Sequence, residues 1–156
     1  MPASAKSTAV PASGRLEQSV LTEDASFLLA RANALALAAG NEALAEHGLK
    51  VRSYAVLALA VEETRPSQRE LAEFLRLDPS QVVSLVDDLQ RRGLVAREPD
   101  PTDRRANVVV ATEAGRALHE RAREAAQSAQ RRLHAALSAA QREQLAELLR
   151  LLAFPG

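Results

Sequence analysis

Cysteine is absent from all 156 residues, which excludes disulfides, thiolate zinc sites, iron–sulfur ligation and any thiol-based redox switch. Aromatic residues are scarce too, at 3%, although 47% of the chain is hydrophobic. The apolar content is therefore mostly Ala, Leu and Val. Ala and Leu are strong helix formers, so a mainly α protein with closely packed helices is expected. No apolar run approaches the ~20 residues needed to span a bilayer. The opening "MPASAKSTAVPASGR" lacks the hydrophobic segment of a secretory signal. A cytoplasmic location without membrane contact is the expectation. Histidine occurs only as His47, His119 and His134, with no two at helical i, i+3 or i+4 spacing. No helix-borne metal pair exists, no cofactor or metal is expected, and only a site assembled across a dimer would escape this reading. Formal net charge is zero, which argues against coating nucleic acid by bulk positive charge but not against a local basic patch. Lysine is nearly missing: the cations are 18 Arg and 2 Lys. Arginine suits bidentate phosphate and base contacts, and the same bias also follows from genomic base composition alone.

What is present is a succession of helix start and stop signals in a chain long enough for one domain with a real core. Residues 1–20 open with an Ala/Ser/Pro-rich stretch and read as a flexible tail. From Glu23 to Glu46 the spacing of Phe27, Leu28, Ala30, Leu35, Ala38 and Leu44 predicts a helix, with Gly48 as its stop. "VRSYAVLALAVEET" predicts a second helix, apolar nearly all round and hence buried. In "PSQRELAEFLRL", Ser67 and Glu70 form a capping box. In "LDPSQVVSLVDDLQRRG", Asp78 is an N-cap, Pro79 fits the first helical position, Gln81 is placed to complete a second capping box, and Gly93 ends the helix. Two short, separately capped helices this close together form a helix-turn-helix candidate. "LVAREP" and "ANVVVA" flank the Pro99–Arg105 loop as a two-stranded hairpin. Thr112 caps a long helix over 113–135, and Ser138 with Gln141 starts a last helix carrying Leu145, Leu148, Leu149 and Leu152.

At 100° per residue the helix after Asp78 puts Val82, Leu85, Val86 and Leu89 on one face. The other face shows Ser80, Ser84, Asp87, Asp88 and Arg91, flanked by Gln81 and Val83. Gln81 suits bidentate reading of adenine, Ser80 and Ser84 suit bases or phosphates, and Val83 suits a thymine methyl. Asp87 and Asp88 oppose phosphate unless they pair with Arg91, Arg92 or a loop arginine; Asp88 also suits cytosine N4. A hairpin following at once, with Arg104 and Arg105 at its tip, makes the unit a winged helix whose tip reaches the narrow, negative minor groove. The competing view of the loop is a solvated turn in which Asp103 pairs with a neighbouring arginine. No catalytic set is found. Glu62–Glu63 and Asp87–Asp88 are neighbours that point about 100° apart on a helix and cannot act as one acid–base pair, so the chain does not read as an enzyme.

The block "RELAEFLRLDPSQVVSLVDDLQRRGLVAREPDPTDRRANVVVATEAGR" resembles the winged-helix core of the MarR family of bacterial transcription regulators. The resemblance rests on Leu-Ala in the first short helix, Asp-Pro-Ser opening the next, "RRGLVAR", Asp-x-Arg-Ala at the wing tip and Thr-Glu-x-Gly. It extends over roughly residues 20–154. It implies an N-terminal dimerisation helix over 21–48, a winged helix-turn-helix core with a two-stranded β wing over 49–112, and C-terminal dimerisation helices over 113–156. It implies a homodimer, most often a repressor, on a pseudo-palindromic double-stranded DNA operator, released by a small anionic or phenolic effector. Ser80, Gln81 and Ser84 match the groove-facing positions, and Asp103 and Arg105 match the wing motif, with Arg104 between them. Ser67, Gln68, Val83 and Arg91 complete the candidate DNA-binding set. Ala111 stands where Leu is usual, Ser84 stands where many relatives carry Arg, and the missing cysteine excludes the peroxide-sensing branch.

In such a plan the effector lies between the dimerisation helices and the winged core, where Arg31, His47, Arg52, Tyr54, Arg116 and His119 are candidate ligand-binding residues. Each also reads as a salt bridge or a satisfied core polar group. A dimer is independently favoured, because the Ala surface around Ala122, Ala126 and Ala129 and the Leu stripe from Leu145 to Leu152 would otherwise face water. Two other readings fit the residues. One is a winged-helix protein-interaction module that does not bind DNA, motivated by zero net charge and the two acids. The other is a helical carrier of a small apolar ligand with an incidental wing.

Overall fold

The structure, a computed structural model, describes residues 12–156. The first eleven positions of the tail expected over 1–20 lie outside the described residues; within the remainder, Ala12–Leu16 forms a short helix, α1. Contacts divide the chain into two units, one up to Ala36 and one from Leu37 onward. In the first, a 3-10 turn at Val20–Glu23 follows α1, and Asp24 accepts the N–H of Phe27 at 2.9 Å to start α2 (Ala25–Leu44). Among the described residues, no helix is long and apolar enough to cross a membrane.

The second unit takes over within α2 and continues through α3 (Val51–Val61), α4 (Gln68–Leu75), α5 (Pro79–Arg91), β1 (Val95–Pro99), β2 (Asn107–Ala111), α6 (Glu113–Leu133) and α7 (Ala139–Ala153). Over the described residues the protein is mainly helical with one two-stranded antiparallel sheet, a winged helix-turn-helix. Its core joins Val56 and Leu57 of α3, Leu71 of α4, Val82, Val86 and Leu89 of α5, and Val95 and Val109 of the sheet. The all-round apolar sequence of α3 is explained by its position against α5, α6 and β2 at once.

Side-chain caps set the ends of these helices. Ser67 Oγ accepts the Glu70 N–H at 3.2 Å while the Glu70 carboxylate accepts the Ser67 N–H at 2.7 Å, as the capping box requires. These bonds hold the Glu70 carboxyl below the usual carboxylate range. Helix α4 ends at Arg76, a non-glycine residue in the left-handed region with φ 54°. Two residues later Asp78 caps α5 by accepting the Ser80 N–H at 2.8 Å, with Pro79 in the first turn. The second capping box expected from Gln81 does not form. The Asp78 carboxylate takes the nearer Ser80 N–H and the Ser80 hydroxyl together, and Gln81 stays exposed. Gly48 and Gly93 have φ of 63° and 70°, as expected of residues that stop helices.

The hairpin pairs Val95 with Ala111 and Pro99 with Asn107. It docks on the approach to α4 through the Val109 N–H, which donates to the Pro66 carbonyl at 2.8 Å. Thr112 caps α6 by accepting the Gly115 N–H at 3.1 Å, and its hydroxyl donates to the Gly93 carbonyl at 2.7 Å. Ser138 and Gln141 form the last capping box. Helix α7 buries none of its residues and leaves Leu148, Leu149, Leu151 and Leu152 exposed.

Gly115 is where α6 comes closest to the chain leaving α5: a Cβ added there would lie 1.9 Å from the Leu94 carbonyl oxygen. A backbone oxygen cannot swing aside as a flexible side chain can. Gly115→Ala is therefore expected to destabilise the fold by about 1–3 kcal/mol, the usual range for overpacking. Chemical denaturation checks this, and an unchanged midpoint would show that α6 does not start against Leu94.

Candidate nucleic-acid interface

Helix α5 buries one face completely: Val82, Val86 and Leu89 have no exposed surface, and Leu85 packs at the margin. The periodicity then forces Ser80, Gln81, Val83, Ser84, Asp87 and Arg91 into solvent, and all six are exposed. This is the face a groove-reading helix must present.

Local bonds limit what the hydroxyls on that face offer. Ser80 Oγ donates to Asp78 Oδ1 at 2.5 Å, and Ser84 Oγ donates to the Ser80 carbonyl at 3.0 Å. Each proton is directed inward, so each oxygen faces outward as an acceptor, suited to a base amino group rather than to a phosphate. The Ser80 hydroxyl and N–H hold the Asp78 carboxyl below the usual carboxylate range. Ser67 has a similar restriction, since its half-buried hydroxyl donates to Glu70 at 2.7 Å within the cap.

Both acids on the exposed face are paired. Asp88 meets Arg91 at 2.9 Å and Arg92 at 3.5 Å, as the sequence allowed. Asp87 has a different partner from any expected: Arg97 of β1, at 2.5 Å. The same guanidinium donates to Gln68 at 2.8 Å and to the Gln90 side-chain oxygen. The motif reading missed Arg97, though a signal was there. Residues two apart on a strand share a face, so Arg97 lies on the side of buried Val95. A charge turned inward on a wing strand has to find an acid on the helix beneath it.

At the wing tip, Asp100 accepts from the Thr102 hydroxyl and N–H, both at 2.7 Å, which holds its carboxyl below the usual range. Asp103 accepts the Arg105 N–H at 3.0 Å, closing the turn through the backbone. Its carboxylate is thus used on the main chain. Arg104 and Arg105 are exposed, and among the described residues neither guanidinium makes an ion pair.

Beside α5 an open cleft of about 700 Å³ lies between the C-terminal part of α2, the start of α3 and one edge of the recognition face. Ser80, Gln81 and Ser84 line one side, and Lys50, Arg52 and Arg92 bring cationic groups to it. Of the six candidate effector residues, Arg52 lines this cleft. Tyr54 and His119 stack on each other with centroids 5.5 Å apart and planes 18° from parallel. Burial raises the Tyr54 pKa and lowers that of His119, favouring both neutral forms. Arg116 donates to the Val61 carbonyl at 2.8 Å, and His47 lies 3.5 Å from Glu46. Arg31 belongs to the unit before Leu37, where it is exposed. Among the described residues from Leu37 onward, the structure joins Tyr54 with His119, while Arg52 lies at the cleft, Arg116 at the Val61 carbonyl and His47 beside Glu46. Lys50 and Arg92, which the sequence did not single out as effector residues, join Arg52 because the turn at Gly48 brings the start of α3 beside the end of α5. The Arg92 guanidinium donates to the Gly48 carbonyl at 2.9 Å.

Comparison with known proteins agrees with this geometry. The model of the MarR family matches residues 47–106, the span from the end of α2 to the wing tip. No curated protein sequence matches the chain. Among solved structures, a MarR-family transcriptional regulator from Rhodococcus sp. RHA1 is similar at 42% identity and a TM-score of 0.83, over 88% of this chain and 98% of that one. CouR from Rhodococcus jostii RHA1, in a structure with bound p-coumaroyl-CoA, is similar at 42% identity and a TM-score of 0.81, over 88% and 97%. BpsR of Bordetella bronchiseptica, whose DNA binding is regulated by 6-hydroxynicotinic acid, shows 26% identity and a TM-score of 0.77, over 85% and 94%. With the winged helix, its exposed reading face and a relative this similar over almost its full length, the chain belongs to the MarR family of transcriptional regulators.

Proposed function

We propose that the protein is a binding protein rather than an enzyme: a cytoplasmic homodimeric repressor that reads a pseudo-palindromic DNA operator and releases it on binding a small anionic aromatic effector. The observation that carries this reading is the recognition face of α5. It is exposed, its acids are neutralised by Arg91, Arg92 and Arg97, and it stands beside a wing whose Arg104 and Arg105 point to solvent without ion pairs among the described residues. Of the two motives for a winged helix that avoids DNA, zero net charge and the two acids, pairing of Asp87 and Asp88 removes the second.

The dimer is supported by α7, whose exposed Leu148, Leu149, Leu151 and Leu152 form an apolar stripe next to exposed Phe154. Two recognition helices in a dimer would meet half-sites ~34 Å apart, one turn of B-DNA. The effector site is the cleft beside α5. Lys50, Arg52 and Arg92 oppose a single carboxylate, Asp88, among its lining residues, so it favours an anion. CouR was solved with p-coumaroyl-CoA, an aromatic thioester with several negative charges, and BpsR is regulated by an aromatic acid. A ligand in this cleft touches Ser80, Gln81 and Ser84 themselves, which links its occupancy to base reading.

Selection of bound duplexes from a random pool, followed by a salt titration, tests the whole reading. A two-fold symmetric site with steeply salt-dependent affinity is expected. Replacing Arg104 and Arg105 together by Ala should weaken operator binding about ten- to a hundredfold and flatten the salt dependence, with the dimer intact by light scattering. Unchanged affinity would remove the wing from the interface. Gln81→Ala should relax preference at one base pair per half-site rather than lower affinity uniformly. An identical selected sequence would show that Gln81 reads no base. Arg52→Ala should leave operator affinity within about threefold while weakening effector-driven release, since Arg52 lines the cleft from α3 and is not on the reading helix. Wild-type release by p-coumaroyl-CoA or a free aromatic acid from this variant would move the effector elsewhere.

A further inference from the structure

The Arg97 side chain bonds three different residues of the winged core. It lies on β1, yet all its side-chain partners belong to the two helices of the helix-turn-helix. Nε donates to Gln68 Oε1 at 2.8 Å on α4, Nη1 donates to Gln90 Oε1 on α5, and Nη2 meets Asp87 Oδ1 at 2.5 Å on α5. The Arg97 side chain is only 26% exposed, so it is a strut between elements rather than a solvated tip. A guanidinium has donors only, and an amide has one oxygen and one NH₂ group. Both glutamines must turn their oxygens toward Arg97, which leaves both NH₂ groups facing away from it. Without Arg97 each amide would be free to flip.

We propose that Arg97 is a positioning residue for DNA reading: it clamps β1, α4 and α5 in one arrangement, cancels the charge of Asp87, and fixes Gln68 and Gln90 with their NH₂ donors outward. This rests on the DNA-binding reading above. Asp87 is then a structural partner and not a base-reading group. The exposed end of α5 presents donors there, suited to phosphate oxygens and to the acceptor edges of guanine and thymine. Arg91 pairs with Asp88 at 2.9 Å, and the neighbouring Arg69 pairs with Glu73 at 2.8 Å, so neither replaces Arg97 at Asp87.

The clamp and simple repulsion predict opposite signs for one substitution. If Asp87 acts on DNA only through its charge, Asp87→Asn strengthens operator binding. If it anchors Arg97, Asp87→Asn removes the ion pair and loosens the seat of the guanidinium against Gln68 and Gln90, and binding weakens about threefold or more. In an Arg97→Met background the unscreened acid repels phosphate, so adding Asp87→Asn should strengthen binding. A reversal of sign between the two backgrounds is the signature of the clamp, and a merely destabilising role would not produce it. Arg97→Lys keeps the charge but loses the fork and should leave the salt slope unchanged while lowering affinity about tenfold, whereas loss of a direct phosphate contact lowers the slope by about one. The probe is the duplex recovered by the selection above. Tighter binding of Asp87→Asn in both backgrounds overturns the clamp. If the wild type selects no duplex, the DNA reading itself fails, and the clamp is then read by urea unfolding of the same four proteins. There non-additive midpoints support it and additive midpoints overturn it. Should Arg97→Met not fold, the sign of the Asp87→Asn effect against wild type decides.

Discussion

The arrangement depends on burying one face of α5. Val82, Val86 and Leu89 lose all contact with solvent against α3 and α4, whose Val56, Leu57 and Leu71 are equally buried. Each such side chain contributes roughly 1.5–3 kcal/mol relative to exposure. Because helical spacing is rigid, seating these three residues also sets the direction of every other residue on the helix. Gln81 faces outward with no side-chain hydrogen bond among the described residues to hold it there, and Ser84 has only its bond to the Ser80 carbonyl. The reading surface is thus a by-product of core packing, and any change that rotates α5 in its seat moves all of its polar side chains together.

The electrostatics follow a related logic. A chain with zero formal charge has no long-range attraction for a polyanion. What matters within a Debye length of ~10 Å is which charges are already satisfied. On α5 the acids are matched by Arg91, Arg92 and Arg97, whereas at the wing tip Asp103 is used on the Arg105 N–H. The local field comes from the wing arginines, even though the total is neutral. Most of these pairs are partly exposed, so each adds little stability by itself. Their effect lies in where unmatched charge remains.

Much of this was legible in the sequence because it is written in local signals. Ser67 with Glu70, Pro79 after Asp78, Thr112 and Ser138 with Gln141 act within one helical turn, and each marks a real boundary. The buried stripe of α5 follows from periodicity alone. Local signals also misled once: Gln81 has capping-box spacing, but Asp78 was already satisfied by Ser80, a competition that spacing does not show. Contacts that cross elements were not legible. Arg97 joins positions 29 and 7 residues away through hydrogen bonds to Gln68 and Gln90. The cleft joins Lys50 and Arg52 with Arg92, far along the chain, through a turn whose geometry only the fold supplies.

The junction at Thr112 has a mechanical consequence. Its hydroxyl donates to the Gly93 carbonyl, its N–H donates to the Leu94 carbonyl at 3.0 Å, and Gly115 lies against Leu94 with no space for a methyl group. The root of α6 is therefore bolted to the segment that leaves α5. Helix α6 has 21 residues, which at 1.5 Å each makes a rod about 30 Å long. Such a rod is a lever with its fulcrum beside the reading helix: a tilt of about 5° at the root displaces the far end by roughly 3 Å over that length. Conversely, a small lateral shift at the distal end returns to α5 as an almost pure rotation with little translation.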